Sequence, residues 1–503
     1  MPPARFIVRS LSWRIALTVF AVNVLYVNSY LGNPMSKSIL DLTVSLVDRH
    51  SLNIDPYAGN STDVSYRRGR LYSGMPPGLS LVCVPYYVAA KTWLWAIATP
   101  AREQGLDERF VKAGGSTWRP SEKHLTIVLL NLFICVFGCS VLAGVVAAFF
   151  HRALTLVYPD LEERRRLVTT WLFSFGTLWF IYSPGIYHRI GSTFLCFAAF
   201  LLVLLPEEKR PALKWRGFLF GLALGLAVAT SYELALVAAV LVLYGASRWG
   251  RRGSWGWAAV GAAIFLGLLA VYHMACFGAP WATPYAWRIQ GSSVPPIFRT
   301  IVGAAPPLQR GVEFLVGSDY GFFFYSPLLL LALPALARLR RGGPDRAVAA
   351  VAFGIFAVLT VFHFVTGYIG LPGEFGFRMM KPAIPFLMLL VPMSYRWSYR
   401  GVVPVLTALS ALILGKGVMF GVHAGRPFWG DYVRRIAEHG LSNYTLEHLQ
   451  TSVWPQLSPW AISAVHLAAL ATILLLLWYF IWRPRNSRDS LCVEAEKDTG
   501  SSE

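Results

Sequence analysis

The feature that most constrains this chain is a recurrence of apolar runs about twenty residues long. As a helix, a run of that length crosses a hydrocarbon core of ~30 Å. Such runs stand at 12–31, 124–150, 168–184, 187–206, 254–277, 320–338, 346–366, 381–396, 401–422 and 459–482. Inside lipid each backbone polar group must be satisfied within its own segment, which a helix does. Only 14% of the 503 residues are charged, too few to cover a soluble protein of this size. The expectation is an all-α polytopic membrane protein with about 11–13 transmembrane helices. A soluble enzyme, a disordered chain and a disulfide-stapled secreted module are excluded.

The net charge of +19 is distributed in short clusters between the runs rather than gathered in one patch. That pattern marks membrane topology, by the positive-inside rule, and argues against a nucleic-acid partner. The clusters Arg164–Arg166 and Lys209–Arg216 fall on the cytoplasmic side, with the loop 339–345, if 76–98 lies in the interface or re-enters. The run 217–246 is too long for one straight span, so it reads as a hairpin broken near Thr230–Glu233. Residues 1–31 are then the N-terminus and first helix, and 32–123 an outer loop region with surface or re-entrant helices. Residues 124–482 form the bundle, with outer loops 278–319, 367–380 and 423–458. Residues 483–503 read as a disordered cytoplasmic tail. Within the first loop, Ser36–Asp48 has the spacing of an amphipathic helix on the membrane surface.

Chemistry is sought in the outer loops and at intramembrane charges. The first loop holds Asp41, Asp48, Asp55 and Asp63; Asp41 and Asp48, seven apart, share a helix face. A carboxylate there can serve as general base toward a hydroxyl. Glu233 lies in a mid-apolar position, where an acid costs roughly 2.5–3.5 kcal/mol. It calls for a cation, a wet cavity or protonation. Arg189, Arg378 and Arg70 are candidates for a phosphate, whose oxygens the guanidinium fork matches. His188 adjoins Arg189, and Glu374 is an alternative partner for Arg378, with Lys381 close by. Trp281, Tyr285, Trp287 and Arg288 suit either an interfacial aromatic belt or stacking on a sugar. Asn60 and Asn443 begin sequons. No Cys/His spacing suggests zinc, and no metal ligands are assigned.

Several short motifs occur in a consistent order. They are Asp55-Pro56-Tyr57, Asp63, Gly69-Arg70-Leu71-Tyr72-Ser73 and Pro76-Pro77-Gly78-Leu79-Ser80, then Tyr182-Ser183-Pro184 with His188. Gly221, Gly225 and Tyr232-Glu233, Phe277-Gly278-Ala279-Pro280, Gly321-Phe322 with Tyr325-Ser326-Pro327, and Gly376-Phe377-Arg378 with Pro382 follow. Over about residues 12–390 this order resembles the C-type (GT-C) integral membrane glycosyltransferases, relatives of the protein O-mannosyltransferases and the lipid A aminoarabinose transferase. Where that family often carries an acid and a lysine before Pro-Pro-Gly, this chain has Gly74 and Met75.

The resemblance implies inverting transfer of a sugar from a polyprenyl-phosphate donor to an acceptor lipid, glycan or protein. It places the protein among membrane lipids, in a bacterial inner (plasma) membrane with its site facing the periplasm. It leaves a divalent metal open. It implies Asp41, then Asp63, then Asp48 as base, with Arg70, Tyr72, His188, Arg189, Glu233, Glu374, Arg378 and Lys381 around the substrates. The alternatives are a transporter or lipid-linked-sugar flippase, and a non-catalytic homologue.

Overall fold

The computed structural model describes residues 10–27, 34–57, 59–103, 124–186, 189–206, 210–250, 254–289, 308–318, 320–341, 345–366, 375–420 and 429–482. His188, Glu374 and the tail 483–503 lie outside the described residues. In chain order the elements begin with α1 (Leu11–Leu25), α2 (Pro34–Arg49), β1 (Val64–Arg67), β2 (Arg70–Ser73) and α3 (Gly78–Glu103). The long helix α4 (His124–Val157) carries a π-helical turn at Cys135–Cys139. Next come α5 (Glu163–Phe175), α6 (Leu178–Tyr182), α7 (Arg189–Leu204), α8 (Arg210–Thr230), α9 (Leu234–Trp249), α10 (Trp255–Phe277) and α11 (Leu308–Val316). After them stand α12 (Phe322–Tyr325), α13 (Leu336–Arg341), α14 (Asp345–Thr366), α15 (Ile384–Met388) and α16 (Tyr395–Ser398). The chain ends in α17 (Val402–Phe420), α18 (Trp429–His439), α19 (Tyr444–Val453) and α20 (Pro459–Leu477).

This is a helical membrane protein. Among the described residues, six helices are long and apolar enough to cross a bilayer: Gly78–Ala101, His124–Val157, Trp255–Phe277, Arg346–Thr366, Val402–Met419 and Pro459–Trp482. Shorter apolar helices occur at Leu11–Leu25, Arg189–Leu204 and Leu234–Trp249. Small residues let neighbours approach closely. A Cβ on Gly221 would run into the Ala258 carbonyl, and one on Gly225 would lie 2.6 Å from the Ala262 carbonyl oxygen, so α8 and α10 meet backbone to backbone.

Three expected straight spans are broken instead. Residues 168–184 split into α5 and α6 at Gly176–Thr177. Residues 320–338 form α12, a 3-10 stretch at Pro327–Ala335, and α13. Residues 381–396 lie within 3-10 turns at Arg378–Ala383 and Val391–Ser394, with α15 and α16. In the latter two, proline is the cause: Pro327, Pro334, Pro382, Pro385 and Pro392 lack the N–H that a continuous helix needs. The segment 380–391 is sealed inside protein; Met380 and Ala383 through Val391 are all under 2% exposed except Pro385, which is buried. Irregular backbone at membrane depth is tolerated in just that setting.

The expected helix at Ser36–Asp48 forms as α2, and it is covered by protein: Ser38 through Ser45 are all buried. Thr43 donates to the Ser80 carbonyl (3.1 Å) and Ser80 to the Ile39 carbonyl (2.9 Å), which clamps α2 to α3. Ser38 meets Ser73 of the hairpin at 2.9 Å, and Ser36 donates to the Ile186 carbonyl at 2.6 Å. The helix α3 runs unbroken for 26 residues, through Pro85 and Pro100, and its stretch Gly78–Ala101 is long and apolar enough to cross a bilayer. The run 217–246 does break, at Ser231–Glu233 between α8 and α9.

Candidate functional site

The site is assembled at breaks in helices. At the α8–α9 break, Ser231 Oγ donates to Glu233 Oε1 at 2.6 Å. Arg189, the first residue of α7, forms an ion pair with the same oxygen; the two side chains are 5% and 8% exposed. A cation at a helix N-terminus opposes the helix dipole, so Glu233 offsets two costs at once: the buried guanidinium and its own desolvation. Arg189 also donates to the Met379 carbonyl at 3.2 Å, which ties it to the 3-10 turn bearing Arg378 and Lys381. Both of those side chains are buried, and Arg189 and Arg378 lie within electrostatic range of Lys381. Lys381 Nζ stands 5.2 Å from the ring centre of Tyr182, whose hydroxyl donates to the Phe375 carbonyl at 2.7 Å.

Asp63 enters from the hairpin side. Its carboxylate pairs with Arg288 at 2.7 Å. Burial pushes the Asp63 carboxyl up, and the nearby Arg288 and Arg378 guanidiniums pull it back. Arg288 is positioned by the loop after α10: its backbone bridges Ser65, and Ser65 Oγ donates to the Pro284 carbonyl at 2.8 Å. Its guanidinium lies 4.8 Å from the ring centre of Tyr285 and donates to the Gly74 carbonyl at 3.3 Å. Tyr285 is an electrostatic junction, in range of Glu233, Arg288, Asp63 and Arg189. Gly74 now has a physical reason. A Cβ there would lie 2.5 Å from Asp63 Oδ1, so only glycine leaves room for this carboxylate.

The other candidates are held elsewhere. Asn60 Nδ2 donates to Asp41 Oδ1 at 2.9 Å, while Oδ2 is buried without a hydrogen-bond partner among the described residues. Burial pushes the Asp41 carboxyl up to about 8, against the Asn60 hydrogen bond and the Lys37 charge. Asp48 pairs with Lys91 at 2.6 Å and accepts from the Tyr87 hydroxyl at 2.9 Å, a brace between α2 and α3. Arg70 is exposed and pairs with Asp55 at 2.8 Å, and Asp55 also accepts from the Leu71 N–H at 2.6 Å. Tyr72 packs edge-on against Phe277 with ring centres 5.5 Å apart.

Of the sequence candidates, then, Asp63, Arg189, Glu233, Arg378 and Lys381 come together, and Asp41, Asp48, Arg70 and Tyr72 do not join them. Arg288 and Tyr285 belong to the cluster although their local context reads as an aromatic belt. Asn60, read as a sequon, is 5% exposed and serves Asp41. Among the described residues no group of three or more His, Cys, Asp or Glu side chains is placed to hold a metal. The cluster sets three guanidiniums, Arg189, Arg288 and Arg378, with the buried amine of Lys381 beside them, against two carboxylates, Glu233 and Asp63. Such a gathering of guanidinium and amine donors is suited to a phosphate or pyrophosphate. Compared with known proteins, the chain matches no family model, no curated protein and no solved structure.

Proposed function

We propose that the protein is an inverting membrane glycosyltransferase that moves a sugar from a polyprenyl-phosphate donor to an acceptor at the outer face of a bacterial inner membrane. The observation that carries this reading is the gathering of Arg189, Arg288, Arg378 and Lys381 beside the desolvated Asp63 carboxylate. A donor with a lipid tail explains why the charges are built at the ends of apolar helices. In the proposed reaction the acceptor oxygen attacks the anomeric carbon, and its proton passes to Asp63. The bond from that carbon to the phosphate oxygen breaks, and the electron pair leaves with the phosphate. Arg189, Arg378 and Lys381 stabilise the charge that develops there. Arg288 orients Asp63, and Glu233 fixes Arg189. Asp63 replaces Asp41 as the preferred base, because Asp63 shares the cluster with the cations.

The test is lipid and glycan profiling of a deletion strain complemented with the wild-type chain or with Arg378→Gln. The reading expects one glycosylated product to vanish in the deletion and its polyprenyl-phosphate sugar to accumulate. Wild type restores the product and Arg378→Gln does not. An unchanged profile in the deletion strain, or a transported solute as the only difference, contradicts it.

A further inference from the structure

Two sequence motifs play no part in the chemistry above, Pro76-Pro77-Gly78 and Phe277-Gly278-Ala279-Pro280, yet both bear on the α8–α9 break. On one side Gly78 starts α3. A Cβ there would lie 2.5 Å from the Ala229 carbonyl oxygen, so the end of α8 rests against the start of α3. On the other side Tyr232 reaches α10. Its hydroxyl stands 2.8 Å from His273 Nε2, and His273 Nδ1 stands 3.0 Å from the Pro280 carbonyl oxygen.

These two distances fix the proton positions. A carbonyl only accepts, so Nδ1 carries the proton of the neutral imidazole and Nε2 presents its lone pair. Tyr232 is then the donor. Pro280 comes back to His273 through the turn that ends α10, where Gly278 has a φ of 78°. A Cβ at 278 would also lie 2.5 Å from the Arg67 guanidinium. The left-handed glycine thus decides which imidazole nitrogen holds the proton.

His273 is 2% exposed and belongs to neither ion pair of the cluster, but Tyr232 leads to both. Its neighbour in sequence is Glu233, the partner of Arg189. Its ring stands edge-on to Tyr285, with centres 5.6 Å apart and planes at 85°. Tyr285 in turn lies under the Arg288 guanidinium that pairs with Asp63.

We propose that His273 is a positioning residue of this cluster: by accepting the Tyr232 proton it sets Glu233 and Arg189 on one side and, through Tyr285, Arg288 and Asp63 on the other. Its consequence for transfer rests on the glycosyltransferase reading; its consequence for the ion pairs does not.

Three variants of the full-length protein test it. His273→Leu removes both hydrogen bonds. Tyr232→Phe keeps the edge-on ring and removes the donor. His273→Gln keeps an N–H for Pro280 and an oxygen for Tyr232. Cryo-electron microscopy is expected to show the Arg288–Asp63 contact opened beyond ~4 Å in His273→Leu and Tyr232→Phe, and retained in His273→Gln. In the complemented deletion strain, at equal membrane levels of protein, the first two are expected to lower the glycosylated product by ~10²-fold, the cost of a misplacement of about 1 Å. His273→Gln is expected to restore it. An unchanged Arg288–Asp63 contact in Tyr232→Phe overturns the proposal whatever the strain shows. A contact as open in His273→Gln as in His273→Leu also overturns it, because ring packing rather than hydrogen bonding is then at work. So does product at the wild-type level in Tyr232→Phe where the deletion lacks it. A deletion strain that loses no product contradicts the glycosyltransferase reading instead, and the structures then decide the positioning role alone. Should His273→Leu not fold, Tyr232→Phe decides.

Discussion

The helix pair α8–α10 and the segment Phe375–Ser398 both lie in the membrane bundle, and they are built in opposite ways. In the pair, Gly221, Gly225 and Gly261 let two continuous backbones touch. Its buried cation, Arg216, is used to cap the end of α7 through the Leu202, Leu205 and Pro206 carbonyls. The segment 375–398 has no helix longer than six residues, and it carries Arg378 and Lys381. The difference shows where chemistry can be placed in an apolar bundle. An intact helix consumes its own carbonyls. A broken one leaves carbonyls such as those of Met379 and Phe375 to accept from Arg189 and Tyr182. Glu233, at the α8–α9 break, and Arg189, at a helix start, follow the same rule.

Asp41 is the exception, a buried acid within the continuous helix α2, and it gives the largest expected effect. Its folded carboxyl is raised to about 8, against about 3.9 in an unfolded chain. Between those values the folded state keeps a proton that the unfolded state has lost. The stability from neutral Asp41 is therefore full below about pH 4 and is lost as pH rises toward about 8, by several kcal/mol at ~1.4 kcal/mol per unit. Asp41→Asn is expected to flatten this slope in thermal unfolding recorded from pH 4 to 9. A slope identical to wild type would mean that Asp41 is solvated and that the exception is not real.

Next in size is the ion pair at the breaks. Arg189→Ala leaves Glu233 buried and unpaired and should cost ~3–5 kcal/mol. Adding Glu233→Gln should recover much of it, because the uncompensated charge is gone. No recovery in the double variant would place the loss in packing rather than charge. Arg378→Gln is expected to change unfolding by no more than about 1 kcal/mol and to lower the proposed sugar transfer by ~10²–10³-fold, the usual worth of one charge-stabilising donor. Gly221→Val tests the other region. It should cost ~1–3 kcal/mol by forcing α8 from α10, with the proposed transfer per folded molecule unchanged. Smallest is Lys91→Met: its partner Asp48 is nearly buried but Lys91 is half-exposed, so the loss should be within ~1 kcal/mol.

The regular region is legible in the sequence, because apolar length is a local property. The break in 217–246 is also legible, since thirty apolar residues exceed one span. The runs 320–338 and 381–396 read as straight spans because hydropathy counts their prolines and leucines without regard to the N–H that proline lacks. Ser36–Asp48 reads as a surface helix because its cover, α3 and the hairpin, comes from later sequence. Glu233 signals its need for a cation, and Arg189 meets it. The partnership of Asp63 with Arg288 has no local trace. It depends on Ser65 reaching Pro284, 219 residues away. Gly74 is legible only as a departure from a family pattern; its geometry shows it as the space Asp63 occupies.

The central claim, that the buried cations at the helix breaks hold a lipid phosphate, is tested most directly by comparing two ligands of equal chain length. The purified full-length protein is titrated with a polyprenyl phosphate and with the corresponding polyprenyl alcohol. The account predicts at least about tenfold tighter binding of the phosphate, the worth of one charge-assisted contact, reduced toward the alcohol's value in Lys381→Met and in Arg378→Gln. Equal affinity for phosphate and alcohol in the wild-type protein would contradict it.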